Sequence, residues 1–314
     1  MTCKKNTLLP PLLVVVALAG LASAGCGNYS NEDLEFMQAL PEKSDLSADV
    51  PTRSAVVLGD TAELYRMTRN VVVIFNGIVD AFVTLIDTIR AYPPTTREPN
   101  VRIWGPFPAQ NQPGWEVRMV MTRQNLATFI YTVDFHRIGS ADAWINIING
   151  SFAASGGVRK GAGTLNVTTA AARAAGLDPD LGYLDAMSAT YDNHAFPITV
   201  GLQFTNLPNP LKPDDPTQGT YDFAAAENGN GSLSFNFSAN SIPGPAGIDV
   251  FQVTSTWLGS GPGRSDLQVV SGDAAGAHET QCWNQQFQAV YTDKPWSPLE
   301  DLGDPSACPS IPSL

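Results

Sequence analysis

A change of period at Pro93-Pro94 constrains the fold of this chain more than any other feature. Residues 60–91 repeat with the period of a helix. After the two prolines, apolar residues recur at every second position almost to the C-terminus, the period of half-buried strands. Asp60 stands where a helix cap belongs, and Glu63 follows three places later, as in a capping box. Pro93 and Pro94 end the helix near Ala91 or Tyr92. Arg66, Asp80 and Asp87 share one heptad line, with Val73 between them, and Arg69, Asn76 and Thr84 lie close to it. At 100° per residue these groups fill only about a third of the circumference. The remainder is apolar, with Phe75, Ile78, Val79, Phe82, Ile86 and Ile89 prominent. A helix resting on a flat sheet needs a narrower stripe, so this one is expected to be enclosed. Those six side chains are expected to pack a core or to line a cavity for an apolar ligand. A bilayer-spanning reading of 71–91 fits poorly, because Asp80 and Asp87 would each cost about 3 kcal/mol near the bilayer centre.

The alternation is clearest at Trp115–Met121, Phe129–Phe135, Trp144–Phe152, Ile198–Phe204, Leu233–Phe237, Phe251–Trp257 and Phe287–Tyr291. Turn clusters separate these runs, and Glu227-Asn228-Gly229-Asn230-Gly231 is a strong hairpin signal. Short hairpin links imply antiparallel neighbours. The pattern predicts a mainly β (α+β) fold: a curved antiparallel meander, or half-barrel, of about nine to eleven strands wrapped around one long N-terminal helix. Thr168–Ala175 is expected to be a short helix ending at Gly176, and residues 206–218 a loop rich in Pro and Asp. Charged residues make up 15% of the chain, against about 25% in an average soluble domain. With 27 Gly and 24 Pro, this composition suits an exported β-protein.

The N-terminus has the layout of a secretory signal peptide over 1–25. Lys4 and Lys5 precede the apolar run Leu8–Leu21, and small residues follow from Ala22 to Gly25. Two cleavage sites compete. Ala22-Ser23-Ala24 suits ordinary signal peptidase, leaving a soluble periplasmic or secreted protein that begins at Gly25. Ser23-Ala24-Gly25-Cys26 is similar to a lipobox, which would make Cys26 an acylated N-terminus, although Ser23 stands where Leu is usual. Cysteine parity favours the second. Cys3 leaves with the signal, and Cys282 and Cys308 are expected to pair in an oxidising compartment, so Cys26 is left over. Residues 26–59 then read as a lipidated tether and 60–314 as a single domain. The formal net charge is −12, and removing residues 1–25 takes away two lysines and no acids, leaving −14. That balance argues against nucleic acid as a partner. Gly27 after the cysteine, in place of the Asp that signals inner-membrane retention, points to the outer membrane.

Searches for chemistry are mostly empty. His136, His194 and His278 have no partners at metal-ligand spacing, and HExxH, CxxC and GxSxG motifs are absent. Ser260 and Ser265 read as loop serines. Gly156–Gly163 matches no phosphate-binding loop and reads as a turn into a strand. Asp178–Asp185 lacks the Gly and Glu of a calcium loop. Asp80, Asp87 and Asp134 could in principle supply a hydrolase with paired carboxylates, and tryptophans could stack on sugars. Trp115, Trp144 and Trp257 have apolar strand neighbours and are expected in the core. No catalytic residue, metal or cofactor is assigned.

Signal peptide plus Cys26 resembles bacterial lipoproteins. The Asn31-Glu32-Asp33-Leu34-x-Phe36-x-x-Ala39-Leu40-Pro41 stretch and the Cys282-Trp283-Asn284…Tyr291…Pro295-Trp296 tail resemble lipoproteins of myxobacteria. The expected architecture is similar to the lipoprotein-carrier half-barrels (LolA/LolB-like), whose curved sheet encloses helices and an apolar cavity. That resemblance implies an envelope lipoprotein with a lipid or other apolar ligand. The alternative is a solid scaffold acting through surface contacts. An enzyme acting on envelope polymers, or a carbohydrate-binding protein, is the less favoured reading.

Overall fold

The computed structural model describes residues 29–52, 61–109, 112–157, 159–177, 184–207, 217–240 and 247–314. Fourteen strands form one antiparallel sheet in which every strand pairs with its chain neighbours, in the order β1 to β14. They are β1 (Thr96–Glu98), β2 (Val101–Pro108), β3 (Trp115–Arg123), β4 (Thr128–Arg137), β5 (Ile145–Ala154), β6 (Gly161–Thr168) and β7 (Ala186–Asp192), then β8 (Ile198–Leu207), β9 (Thr217–Ala225), β10 (Gly231–Asn240), β11 (Ile248–Trp257), β12 (Gly263–Ser271), β13 (His278–Trp283) and β14 (Ala289–Asp293). The helices are α1 (Asn31–Gln38), α2 (Lys43–Leu46), α3 (Glu63–Arg90) and α4 (Ala170–Ala174).

The sheet is open. α3, 28 residues and about 42 Å long, touches β2 and β3 as well as β11, β12 and β13. Its contacts follow the strand order: Leu64 bonds to β13 and Thr68 to β11, while the Tyr92 carbonyl just past its end accepts from Trp104 on β2 at 2.9 Å. The helix therefore runs across the strands. Phe75 carries the contact to the middle strands, stacking on Phe204 at 4.8 Å and meeting Tyr221 edge-on at 4.8 Å.

The strand count exceeds the nine to eleven expected. β2 contains Gly105, Pro106 and Pro108, while β7, β9, β12 and β13 carry few large apolar residues, so their alternation is faint. Ser265, expected in a loop, is buried in the middle of β12. The helix also begins differently. Ala62 is its N-cap and gives no side-chain bond, and Asp60 lies outside the described residues. The free N–H of Leu64 instead donates to Gln281 Oε1 on β13 at 2.8 Å, so the sheet itself caps the helix. α4 is shorter than the expected 168–175, although Gly176, at φ +72°, does follow its end.

The start of the body differs most. Residues 29–52, read from sequence as part of a tether, are docked. Phe36, Leu40, Leu46 and Val50 are buried in the same core as α3. Ser30 and Asp33 form a reciprocal capping box on α1. The Asn76 side chain then grips the backbone of Ala48 twice, donating to its carbonyl at 2.9 Å and accepting from its N–H at 3.1 Å.

Four inward-facing glycines pair in register with aromatic residues: Gly150 with Tyr131, Gly163 with Tyr191, Gly231 with Trp257 and Gly263 with Trp283. Each ring lies across its glycine. A Cβ on Gly231 would fall 2.4 Å from the Trp257 ring and one on Gly263 2.2 Å from Trp283. The absent side chain is therefore the space the ring occupies.

Candidate functional site

Of the six helix residues singled out in the sequence, Phe75, Val79, Ile86 and Ile89 are buried, while Ile78 and Phe82 are half-buried against the same cluster. They pack a core. Val73 and Ile74, on the opposite face, are 63% and 58% exposed. α3 is long and apolar enough to cross a bilayer on length and composition alone, but its apolar side chains are largely engaged with the sheet. Among the described residues, two depressions open to solvent stand out. One lies over β5–β8, lined by Ser151, Thr164, Thr190, Asp192 and Thr199. The other lies between α2 and the end of α3, lined by Glu42, Lys43, Asp87 and Arg90.

The carboxylates weighed for catalysis are taken up by ion pairs. Asp80 pairs with Lys43 at 2.8 Å and Asp87 with Arg90 at 2.7 Å. Burial raises the Asp87 pKa against the pull of Arg90. Asp134 meets Arg118 at 3.2 Å on the outer face of the sheet. Trp115 and Trp257 are buried as expected. Trp144 is not: it is half-buried just before β5, with the Arg118 guanidinium 4.1 Å from its ring centroid and His136 stacked at 4.9 Å. His136 Nδ1 is 3.0 Å from Glu116.

Asp134 ends a directional chain of hydrogen bonds that crosses the outer face. Ser188 on β7 donates to Asn166 on β6 at 2.8 Å, and Asn166 donates to Asn149 on β5 at 3.2 Å. Asn149 donates to Asn146 at 2.9 Å, and Asn146 donates to Asp134 Oδ1 on β4 at 2.8 Å. Asn166 and Asn149 each use one donor along the chain and keep further hydrogen-bonding capacity, so this strip can meet a polar partner surface, while Asn146 also donates to the Ile148 carbonyl at 3.0 Å. Periodicity marks these positions only as outward-facing. Their register, which makes the chain, depends on turn lengths that a one-residue slip would undo.

Two charged clusters lie at structural joints. Arg102 is 2% exposed and is held by Asp33 at 2.6 Å and Glu32 at 2.5 Å. Arg97 also reaches Asp33, at 3.0 Å. Burial alone would raise the Asp33 pKa, but the Ser30 N–H, Arg102 and Arg97 outweigh it and hold it at about 2. The second cluster gathers Glu63, Glu279 and Glu300 around Lys294 Nζ, at 3.8, 3.7 and 2.7 Å. Glu279 is buried, its Oε1 has no hydrogen-bond partner, and burial lifts its pKa to about 7. Among the described residues, no group of three or more His, Cys, Asp or Glu side chains could hold a metal.

Cys282 and Cys308 are disulfide-bonded, with Cα atoms 5.3 Å apart. The bridge ties the C-terminal tail to β13. Cys26 and the signal segment lie outside the described residues. No protein-family model, curated protein or solved structure matches the chain.

Proposed function

We propose that this chain is a lipid-anchored envelope protein whose body acts through surface contacts, as a scaffold or assembly component. The observation that supports this reading over a carrier is that the inner face of the sheet is covered. α3 and residues 29–52 occupy it with side chains from the same core cluster that the strands supply. The two depressions described above are open to solvent and not enclosed, which suits a surface contact better than a buried acyl chain. The outer strip from Arg118 and Trp144 to Ser188 is the surface we assign to such contacts. The anchor rests on the sequence alone, through the signal peptide, Cys26 and cysteine parity. The same features, with Gly27, favour the outer membrane.

A full-length Cys26→Ala variant tests both parts. It is expected to leave the membrane fraction and to yield no stoichiometric lipid on organic extraction and mass spectrometry. Retention in the membrane would overturn the anchor. A co-purified lipid at one per chain would establish the carrier reading, the second possibility, which the exposed Val73 and Ile74 on α3 favour.

A further inference from the structure

Tyr29 is fixed to the body of the protein. Its hydroxyl donates to the Ala91 carbonyl at 3.0 Å, at the C-terminal end of α3. The next residue, Ser30, caps α1, and Asp33 of α1 is locked to Arg97 on β1 and Arg102 on β2. Cys26 precedes Tyr29 by three residues. A fully extended chain spans at most about 3.6 Å per residue, so an acyl group on Cys26 has a leash of only about 11 Å.

We infer that the C-terminal end of α3, with the adjoining edge formed by β1 and β2, is the face that lies against the phospholipid bilayer. This rests on the acylation of Cys26 proposed above. The other end of α3, at Glu63, is about 40 Å away along the helix axis. It points away from the bilayer and leaves the N-terminal turns of α3 and the β13–β14 end of the sheet for partners beyond the membrane surface. The near end suits a headgroup layer. Tyr29 and Tyr92 combine a ring with a hydroxyl there, as residues of an interfacial belt do, and Leu34 is exposed on α1. Arg90 and Arg97 are paired with carboxylates, so attachment relies on the acyl chains and not on a basic patch.

The test uses full-length protein, processed in a bacterial host and purified from membranes, with intact mass reporting acylation. Ala91→Cys and Arg66→Cys, both at exposed positions, each place one thiol for a fluorophore while Cys282 and Cys308 remain bridged. In phosphatidylcholine vesicles carrying a headgroup quencher, the label at residue 91 is expected to be quenched several-fold more than the label at residue 66. Equal quenching, or stronger quenching at residue 66, in protein whose mass shows acylation overturns the orientation and leaves the anchor standing. An unmodified N-terminus by mass overturns the anchor, and the orientation with it.

Discussion

Glu279 and Asp33 are both buried carboxylates, and their surroundings give them opposite pH signatures. Folding holds the Glu279 proton up to about pH 7, while the unfolded chain releases it near the ordinary value of 4.5. Its contribution to stability is therefore full below that range and is lost as pH rises from about 4.5 to about 7. At about 1.4 kcal/mol per unit, the loss is at most about 3.5 kcal/mol, of which about 2.5 kcal/mol falls between pH 5 and pH 8. Glu279→Gln should gain on the parent protein by about that much between pH 5 and pH 8 in urea unfolding, and a gap independent of pH would refute the assignment. Asp33 runs the other way. Its contribution is present above 3.8 and is lost as pH falls toward about 2. Asp33→Asn leaves Arg102 buried with one carboxylate fewer, and should lower stability at pH 7 by about 3 kcal/mol. Neither behaviour could be read from sequence. Asp33 is one acid among several in a polar stretch, and the arginines that define its role follow more than 60 residues later.

At the scale of the element, the sheet depends on where side chains are missing. Gly231→Val would drive a branched side chain into the Trp257 ring, and should cost about 2–3 kcal/mol by overpacking. Gly77 is exposed in the middle of α3, and a Cβ added there would meet nothing within 4 Å. Gly77→Ala should therefore stabilise the protein by about 0.5–1 kcal/mol. Thermal unfolding of the two variants distinguishes a glycine required by packing from one tolerated in a helix. Asn76→Ala removes both bonds to Ala48 and should expose residues 39–52 to protease before the sheet unfolds, with a stability loss of about 1–2 kcal/mol. The long helix and the strands with strong alternation were legible, because burial on one face imposes a period. β2, β7, β9, β12 and β13 were less so. Some of their inward positions hold Gly, Ala, Ser or polar residues, which interrupts the alternation; Ser265 instead pairs with Ser255 at 2.5 Å, and Ser255 with Thr68 at 2.6 Å. The docking of residues 29–52 was hidden because the segment is largely polar and is broken by Pro41 and Pro51, which leaves only short apolar groups.

For the whole molecule, an open sheet must protect two edges. β1 is three residues long, exposed and charged, which discourages a further strand. β14 is shielded by the tail, which bridges Thr292 to Leu302, and the disulfide holds that tail in place. Replacing Cys282 and Cys308 with Ser should lower stability by about 3 kcal/mol and uncover the β14 edge, so concentration-dependent association, read by light scattering, should accompany the loss. If the double variant stays monomeric, the tail protects nothing. Fold class and disulfide were readable from the chain. The packing of α3 against the strands was not, since an apolar helix face looks the same whether it meets side chains or a ligand.

The order of the elements along the chain also sets an order of events in time. Every strand pairs with its immediate neighbour, so hairpins can form as soon as each is released, without waiting for distant segments. The helix at the centre is different. It precedes all fourteen strands, yet Tyr65 stacks on Phe287 at 4.4 Å and packs on Trp283, more than 200 residues later. A chain made from its N-terminus presents that apolar helix before the strands that cover it exist. The interval between the emergence of α3 and that of β13 is when the chain most needs a chaperone, and docking of the last strands against the helix ends it.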